Sequence, residues 1–206
     1  MSRQNRVTPR GELIAVDARG TFMGNRGCLH DAAGRIRRAW QLKRWIICEP
    51  EFKGRHRPVM QPGRYTELFF LDEATALAAG HRPCAECRRP AFLAFLAAWA
   101  AGRPGGETPR TPALDEVLHR ERTAPPWQAP LDTLPDGAFV ALPGDPRPFL
   151  VLGGALLAWT PGGYTDHVAR PPAAVEVLTP RSTVEALRAG YRPVLHPTAT
   201  LTVSAV

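Results

Sequence analysis

Residues 67–89 read ELFFLDEATALAAGHRPCAECRR, and their order decides how the first half of the chain folds. The apolar run within Tyr65–Leu71 predicts a short buried strand. Asp72 follows it, a residue whose carboxylate suits a helix N-cap, and Glu73–Ala79 is rich in strong helix formers. Gly80 can close that helix in a left-handed cap, and Pro83 prevents its continuation. Next comes the pair Cys84-Ala-Glu-Cys87. Two thiolates at this spacing can grip one Zn2+, because a tight turn aims both sulfurs at one point. Arg88 and Arg89 behind them favour the thiolate form. Pro90 then opens a helix over Pro90–Ala101, and Phe92, Leu93, Phe95, Leu96 and Trp99 give it a wide apolar face that predicts burial.

Upstream, Phe22–His30 and Arg35–Cys48 read as strands joined by a turn at Asp31-Ala-Ala-Gly34, with Gly34 supplying the positive φ. Cys28 and Cys48 fall on these strands. The chain has 4 cysteines, and all lie in its first half. A closed structural zinc site needs four ligands, so Cys28, Cys48, Cys84 and Cys87 together form the expected metal set. His30 and His81 are the substitutes. His30 shares a strand face with Cys28, whereas His81 stands where a helix C-cap places an aromatic contact. In a fully inert reading, Cys28 and Cys48 are small core residues.

Residues 67–89 resemble the zinc-binding domain of the Ada-type DNA alkylation-repair proteins, which shows a Phe-Phe strand, an Ala-rich helix and then Ala-Gly-aromatic-Arg-Pro-Cys-x-x-Cys-Arg. The resemblance implies zinc held by four cysteines, DNA binding, and an upstream cysteine that accepts a methyl group from a phosphotriester. Cys84 and Cys87 match the downstream ligands. The family's upstream ligands form a Cys-x3-Cys pair, whereas here Phe52 stands four residues after Cys48. Nothing after residue 103 resembles the helix-turn-helix or methyltransferase parts of those proteins.

Charge separates the two halves. The net charge of the chain is +7. Residues 1–103 hold 18 Lys and Arg against 9 Asp and Glu, and residues 104–206 hold 8 against 10. A basic surplus confined to one half points to a polyanion partner. Arg35, Arg37, Arg38, Lys43, Arg44, Lys53, Arg55, Arg57, Arg82, Arg88 and Arg89 are the expected nucleic-acid contacts, with Trp40, Trp45, Phe52 and Tyr65 among them for stacking. The expected partner is nucleic acid, DNA before RNA, and the bland alternative is a solvated basic face.

The Gly/Pro-rich stretch 102–113 reads as a linker. The expected fold is therefore α+β: a small zinc-stabilised domain over 1–103, then a small mixed α+β domain over 104–206. In the second part a helix is expected over Thr111–Arg122 and another over Pro180–Ala189. Strands are expected at Ala138–Leu142, Phe149–Leu152, Ala155–Thr160 and Val175–Leu178. Ala79-Gly-His-Arg-Pro83 is echoed by Ala189-Gly-Tyr-Arg-Pro193, read as a repeated helix C-cap and not a duplication. His119, His167 and His196 are candidate general bases without a Ser or Cys nucleophile beside them. No stretch reaches the length of a membrane span, and the N-terminus lacks a signal-peptide core, so the expected location is cytoplasmic. The sequence thus favours a zinc-dependent nucleic-acid-binding protein linked to DNA repair. Its rivals are an enzyme (an alkyl-accepting thiolate or a metal-dependent nuclease or hydrolase) and a structural zinc module for protein interaction.

Overall fold

The Phe-Phe strand is an inner strand of a six-stranded sheet in the computed structural model, which describes residues 2–54 and 58–200. Five strands come first: β1 (Gln4–Val7), β2 (Leu13–Ala15), β3 (Phe22–Asn25), β4 (Ile46–Cys48) and β5 (Leu68–Phe70). Helix α1 (Glu73–Ala78), strand β6 (Arg82–Pro83) and helices α2 (Arg89–Ala101) and α3 (Thr111–Thr123) follow. The remainder holds β7 (Trp127–Pro130), β8 (Phe139–Ala141), β9 (Pro148–Leu152), β10 (Ala155–Thr160), β11 (Gly163–Ala169), β12 (Ala174–Val177) and α4 (Arg181–Arg188). The first sheet runs β2-β1-β5-β3-β4-β6 and the second β11-β10-β9-β8-β12-β7. The protein is thus mixed α+β, with two sheets and four helices among the described residues. No helix among them is long and apolar enough to cross a membrane.

Local signals set the helices. Asp72 caps α1, accepting from the backbone N–H of Thr75 at 2.8 Å and from its hydroxyl at 2.7 Å. At the other end, His81 N–H donates to Ala76 O at 3.0 Å and Gly80 N–H to Leu77 O at 2.9 Å. This is a Schellman cap, with Gly80 at φ +83°. The echoed segment repeats it: Tyr191 N–H donates to Ala186 O at 3.0 Å and Gly190 N–H to Leu187 O at 3.1 Å. The echo is therefore a cap used twice.

The upstream hairpin is shorter than expected. Its turn forms, with Gly34 N–H donating to Asp31 O at 2.9 Å, but only a single bridge, His30 to Ile36, extends it. Residues 37–45 form no strand, and β4 begins at Ile46. Hydrogen bonds to other segments replace the ladder: Gln41 and Leu42 both donate to Arg26 O, at 2.9 and 3.0 Å.

One hydrophobic cluster runs through both halves, from Val7, Phe22 and Leu68 to Phe149, Val177 and Leu187. The Gly/Pro stretch after α2 thus separates the sheets in sequence while the core continues across it. The second half also closes over α1. Tyr164 donates its hydroxyl to Asp72 at 2.7 Å, Trp159 Nε1 donates to Thr75 Oγ1 at 3.1 Å, and Tyr191 donates its hydroxyl to Glu73 at 2.6 Å. Helix α3, read from sequence as part of the second unit, sends Leu114 and Leu118 into the same cluster.

Candidate metal centre

Strands β4 and β6 lie side by side and parallel, with Ile46 opposite Arg82 and Ile47 opposite Pro83. The next residue on each strand is a cysteine, so Cys48 and Cys84 leave the sheet edge together. Cys84 N–H donates to Ile47 O at 2.9 Å and fixes that register. The chain then turns: Arg88 N–H donates to Cys84 O at 3.1 Å, and Glu86 N–H donates to Cys84 Sγ at 3.4 Å. This turn brings Cys87 back. The sulfurs of Cys48, Cys84 and Cys87 all lie within 4.8 Å of one another. Tetrahedral zinc with bonds of about 2.3 Å needs sulfurs roughly 3.8 Å apart, so the three fit one ion with little movement.

Cys28 is outside the group. It is half-buried, its N–H donates to Gln41 Oε1 at 2.7 Å, and its Sγ donates to His30 O at 3.6 Å. Of the four cysteines expected to share one metal, the structure brings Cys48, Cys84 and Cys87 together, and Cys28 does not join them. Neither histidine replaces it. His30 Nδ1 is 2.6 Å from Thr66 Oγ1 and Nε2 is 3.2 Å from Gln61 O. His81 is fully buried between Trp45 and Phe70, and its Nε2 accepts from Arg26 Nε at 3.3 Å. Among the described residues, no fourth His, Cys, Asp or Glu ligand atom joins the three sulfurs.

The three thiols perturb one another. S–H bonds from Cys48 and Cys87, with the N–H groups of Cys87 and Glu86, push Cys84 far below the usual thiol range. The bond to Cys84, then the one to Cys87 and burial, push Cys48 far above it. Like charges this close oppose one another, and a divalent cation would allow all three thiols to ionise.

Arginine 88 holds this corner in place. Its Nη1 and Nη2 donate to Glu73 Oε1 and Oε2 at 2.7 and 3.0 Å, and its Nε lies 3.0 Å from Glu49 Oε1. Its guanidinium lies over Phe22, 4.3 Å from the ring centroid. Arg82, before Cys84, is anchored similarly by Asp115 on α3, with both bonds at 2.9 Å. Arg82 and Arg88 were expected on a nucleic-acid face, but they are 2% and 6% exposed and serve internal carboxylates. The motif reading missed these partners because they lie on other elements, Glu73 on α1, Asp115 on α3 and Glu49 after β4.

The other expected contacts divide. Arg35 and Arg37 are exposed and both pair with Asp31, at 3.0 and 2.8 Å. Exposed Lys43 pairs with Glu116 at 2.8 Å. Arg38, Arg44, Lys53 and Arg89 are exposed. Arg55 and Arg57 lie outside the described residues. Of the histidines considered as bases, His119 packs edge-on against Trp40 with ring centroids 4.5 Å apart, His167 lies on β11, and His196 Nδ1 is 2.8 Å from Thr198 Oγ1. They are dispersed and form no shared catalytic cluster among the described residues.

Comparison with known proteins returned nothing: no family model, no curated protein and no solved structure matches the chain.

Proposed function

We propose that Cys48, Cys84 and Cys87 bind one Zn2+ ion, and that the protein is a zinc-dependent nucleic-acid-binding protein of the Ada-like kind, acting on DNA. The observation that carries the metal reading is the convergence of three sulfurs within 4.8 Å at the ends of two parallel strands. An all-thiolate donor set favours zinc over harder divalent ions such as magnesium and calcium. The nucleic-acid reading is supported by exposed cations in the first half, notably Arg38, Arg44, Lys53 and Arg89.

Metal analysis of the purified protein tests the first part. One zinc per chain is expected in the wild type and in Cys28→Ser, with loss in Cys48→Ser, Cys84→Ser and Cys87→Ser. A metal-free wild type, or loss in Cys28→Ser alone, overturns it. For the second part, binding of a DNA oligonucleotide should weaken steeply as salt rises, and Arg38→Ala with Arg44→Ala should reduce the slope. Absence of binding at low salt ends that reading.

A second reading is alkyl acceptance by a thiolate of the trio, favoured by the clustering of Cys48, Cys84 and Cys87, which a bound cation would keep ionised. The thiolate sulfur attacks the methyl carbon of a phosphotriester; an S–C bond forms, the C–O bond breaks, and the phosphodiester leaves with the electron pair. Incubation with methylated DNA should then add one methyl mass to a cysteine of the trio. An unchanged mass rejects it.

A further inference from the structure

A second feature lies away from the cysteines, where the two halves meet. A cavity of about 730 Å³ opens between the 39–45 segment, the turn after β1, the end of α3 and the start of α4. Arg26, Arg122, Trp40, Trp45 and Trp127 line it.

Neither arginine there makes a salt bridge among the described residues. Arg26 is 1% exposed. Its Nη1 donates to Gly11 O at 2.9 Å and its Nε to His81, but its buried Nη2 has no partner. Arg122 donates to the carbonyls of Gly80 and Lys43, and its buried Nε is likewise unpartnered. Both guanidinium groups lie 4.0 Å from the Trp45 ring. Among the described residues, neither has a carboxylate within ion-pairing distance. Glu121, an acid on the cavity wall, is turned to α4, where it accepts from Ser182 N–H at 3.0 Å and from its hydroxyl at 2.6 Å. Burial, then the charge of Arg122, pulls Arg26 down to about 9, and burial pulls Arg122 to about 9 against the opposing charge of Asp115. Two desolvated cations facing a cavity whose wall carboxylate, Glu121, is engaged elsewhere are a costly arrangement unless a ligand supplies the charge.

The rest of the wall narrows the ligand. Trp40 is 39% exposed at the cavity, and Trp127 adds a second aromatic surface. Arg38, Lys43 and Arg44 are exposed on the segment that carries Trp40 and Trp45. Cations for phosphate beside an open aromatic ring for stacking is the composition of a nucleotide site. The volume lies within the range that holds a small organic ligand.

We propose that this cavity binds a nucleotide, its phosphate taken by Arg26 and Arg122 and its base stacked on Trp40. The choice of ligand rests on the nucleic-acid reading above; the need for an anion does not. The nucleotide can be free or part of a single strand, and the experiment separates the two.

Titrations of the full-length protein with adenosine and guanosine 5′-monophosphates, the parent nucleosides, and a short single-stranded oligonucleotide are followed by calorimetry and tryptophan fluorescence. Saturable binding of a monophosphate, about tenfold tighter than its nucleoside, is expected if the ligand is free. Saturable binding of the oligonucleotide alone identifies the strand as the source. In either arm Arg122→Gln and Trp40→Ala should each weaken binding about tenfold. Trp40→Ala removes a partly exposed ring packed edge-on against His119, so its melting curve is recorded beside its binding, and it covers the case in which an arginine variant fails to fold. Oligonucleotide binding insensitive to both variants overturns the cavity proposal while the nucleic-acid reading survives. Binding of neither ligand overturns both.

Discussion

Arg88 and Glu73 form a buried two-point ion pair, 2.7 and 3.0 Å long, between the cysteine turn and the first residue of α1. Glu73 also accepts the Tyr191 hydroxyl at 2.6 Å and the Val194 N–H at 3.0 Å. This one carboxylate therefore joins the cysteine corner, α1 and the C-terminal segment. Removing it leaves a guanidinium that is 5% exposed without its principal partner. Glu73→Gln is expected to cost about 3 to 5 kcal/mol in urea unfolding. The double variant Glu73→Gln with Arg88→Met should recover part of that loss. A cost below about 1 kcal/mol for the single variant would show that the pair does not hold the corner.

Metal removal should act through the same corner. Three thiolates drawn to one cation would tie β4 to β6 and the start of α2. A strong chelator is expected to lower the melting temperature of the wild type and to leave Cys84→Ser unaffected. Equal effects on both would detach the stabilisation from the trio.

The pH dependence has a definite sign at His81. Burial, then the charges of Arg26 and Arg122, hold its pKa well below 6.5. As pH falls through about 6.5 the unfolded chain takes up a proton that the folded chain refuses. The unfolded state then binds more protons, so stability drops, with a slope approaching about 1.4 kcal/mol per pH unit until the folded ring is protonated. His81→Phe keeps a ring against Phe70 and Trp45 and should flatten the stability curve between about pH 6.5 and 5. An unchanged slope would assign the proton uptake to another group.

The two Schellman caps allow a matched comparison. Gly80 and Gly190 sit at φ +83° and +107°. A Cβ on Gly80 would lie 2.6 Å from Cδ of Arg122, whereas one on Gly190 meets nothing within 4 Å. Gly190→Ala should cost about 1 to 2 kcal/mol from backbone strain alone. Gly80→Ala should cost more, and it should also weaken nucleotide binding by displacing Arg122. Equal costs in denaturant would show that Arg122 moves aside freely.

β1, β2, β6, β7 and β11 escaped the sequence reading, and for the last two the cause is plain. β7 and β11 are the edges of the second sheet. β7 lies in a Pro-rich stretch and includes Pro130, which an edge strand tolerates. β11 exposes Thr165, Asp166 and His167 in succession, so it has no alternating apolar pattern. Such strands exist because a neighbour offers hydrogen bonds, and a one-dimensional pattern does not contain the neighbour.

The chain's own order of residues determined whatever closes within a few positions: the Asp72 cap, the glycine caps at 80 and 190, the 31–34 turn and the Cys84–Cys87 turn. Tertiary structure alone chose Cys48 over Cys28, because that choice depends on which strand lies beside β6. It also turned Arg82 and Arg88 inward and left Arg26 and Arg122 facing a cavity. Arg82 meets its carboxylate 33 residues away and Arg88 meets its own 15 away. A guanidinium is written identically whether it faces water, a buried acid or an open cavity; only the packing of distant segments fixes its surroundings, and the surroundings fix its role.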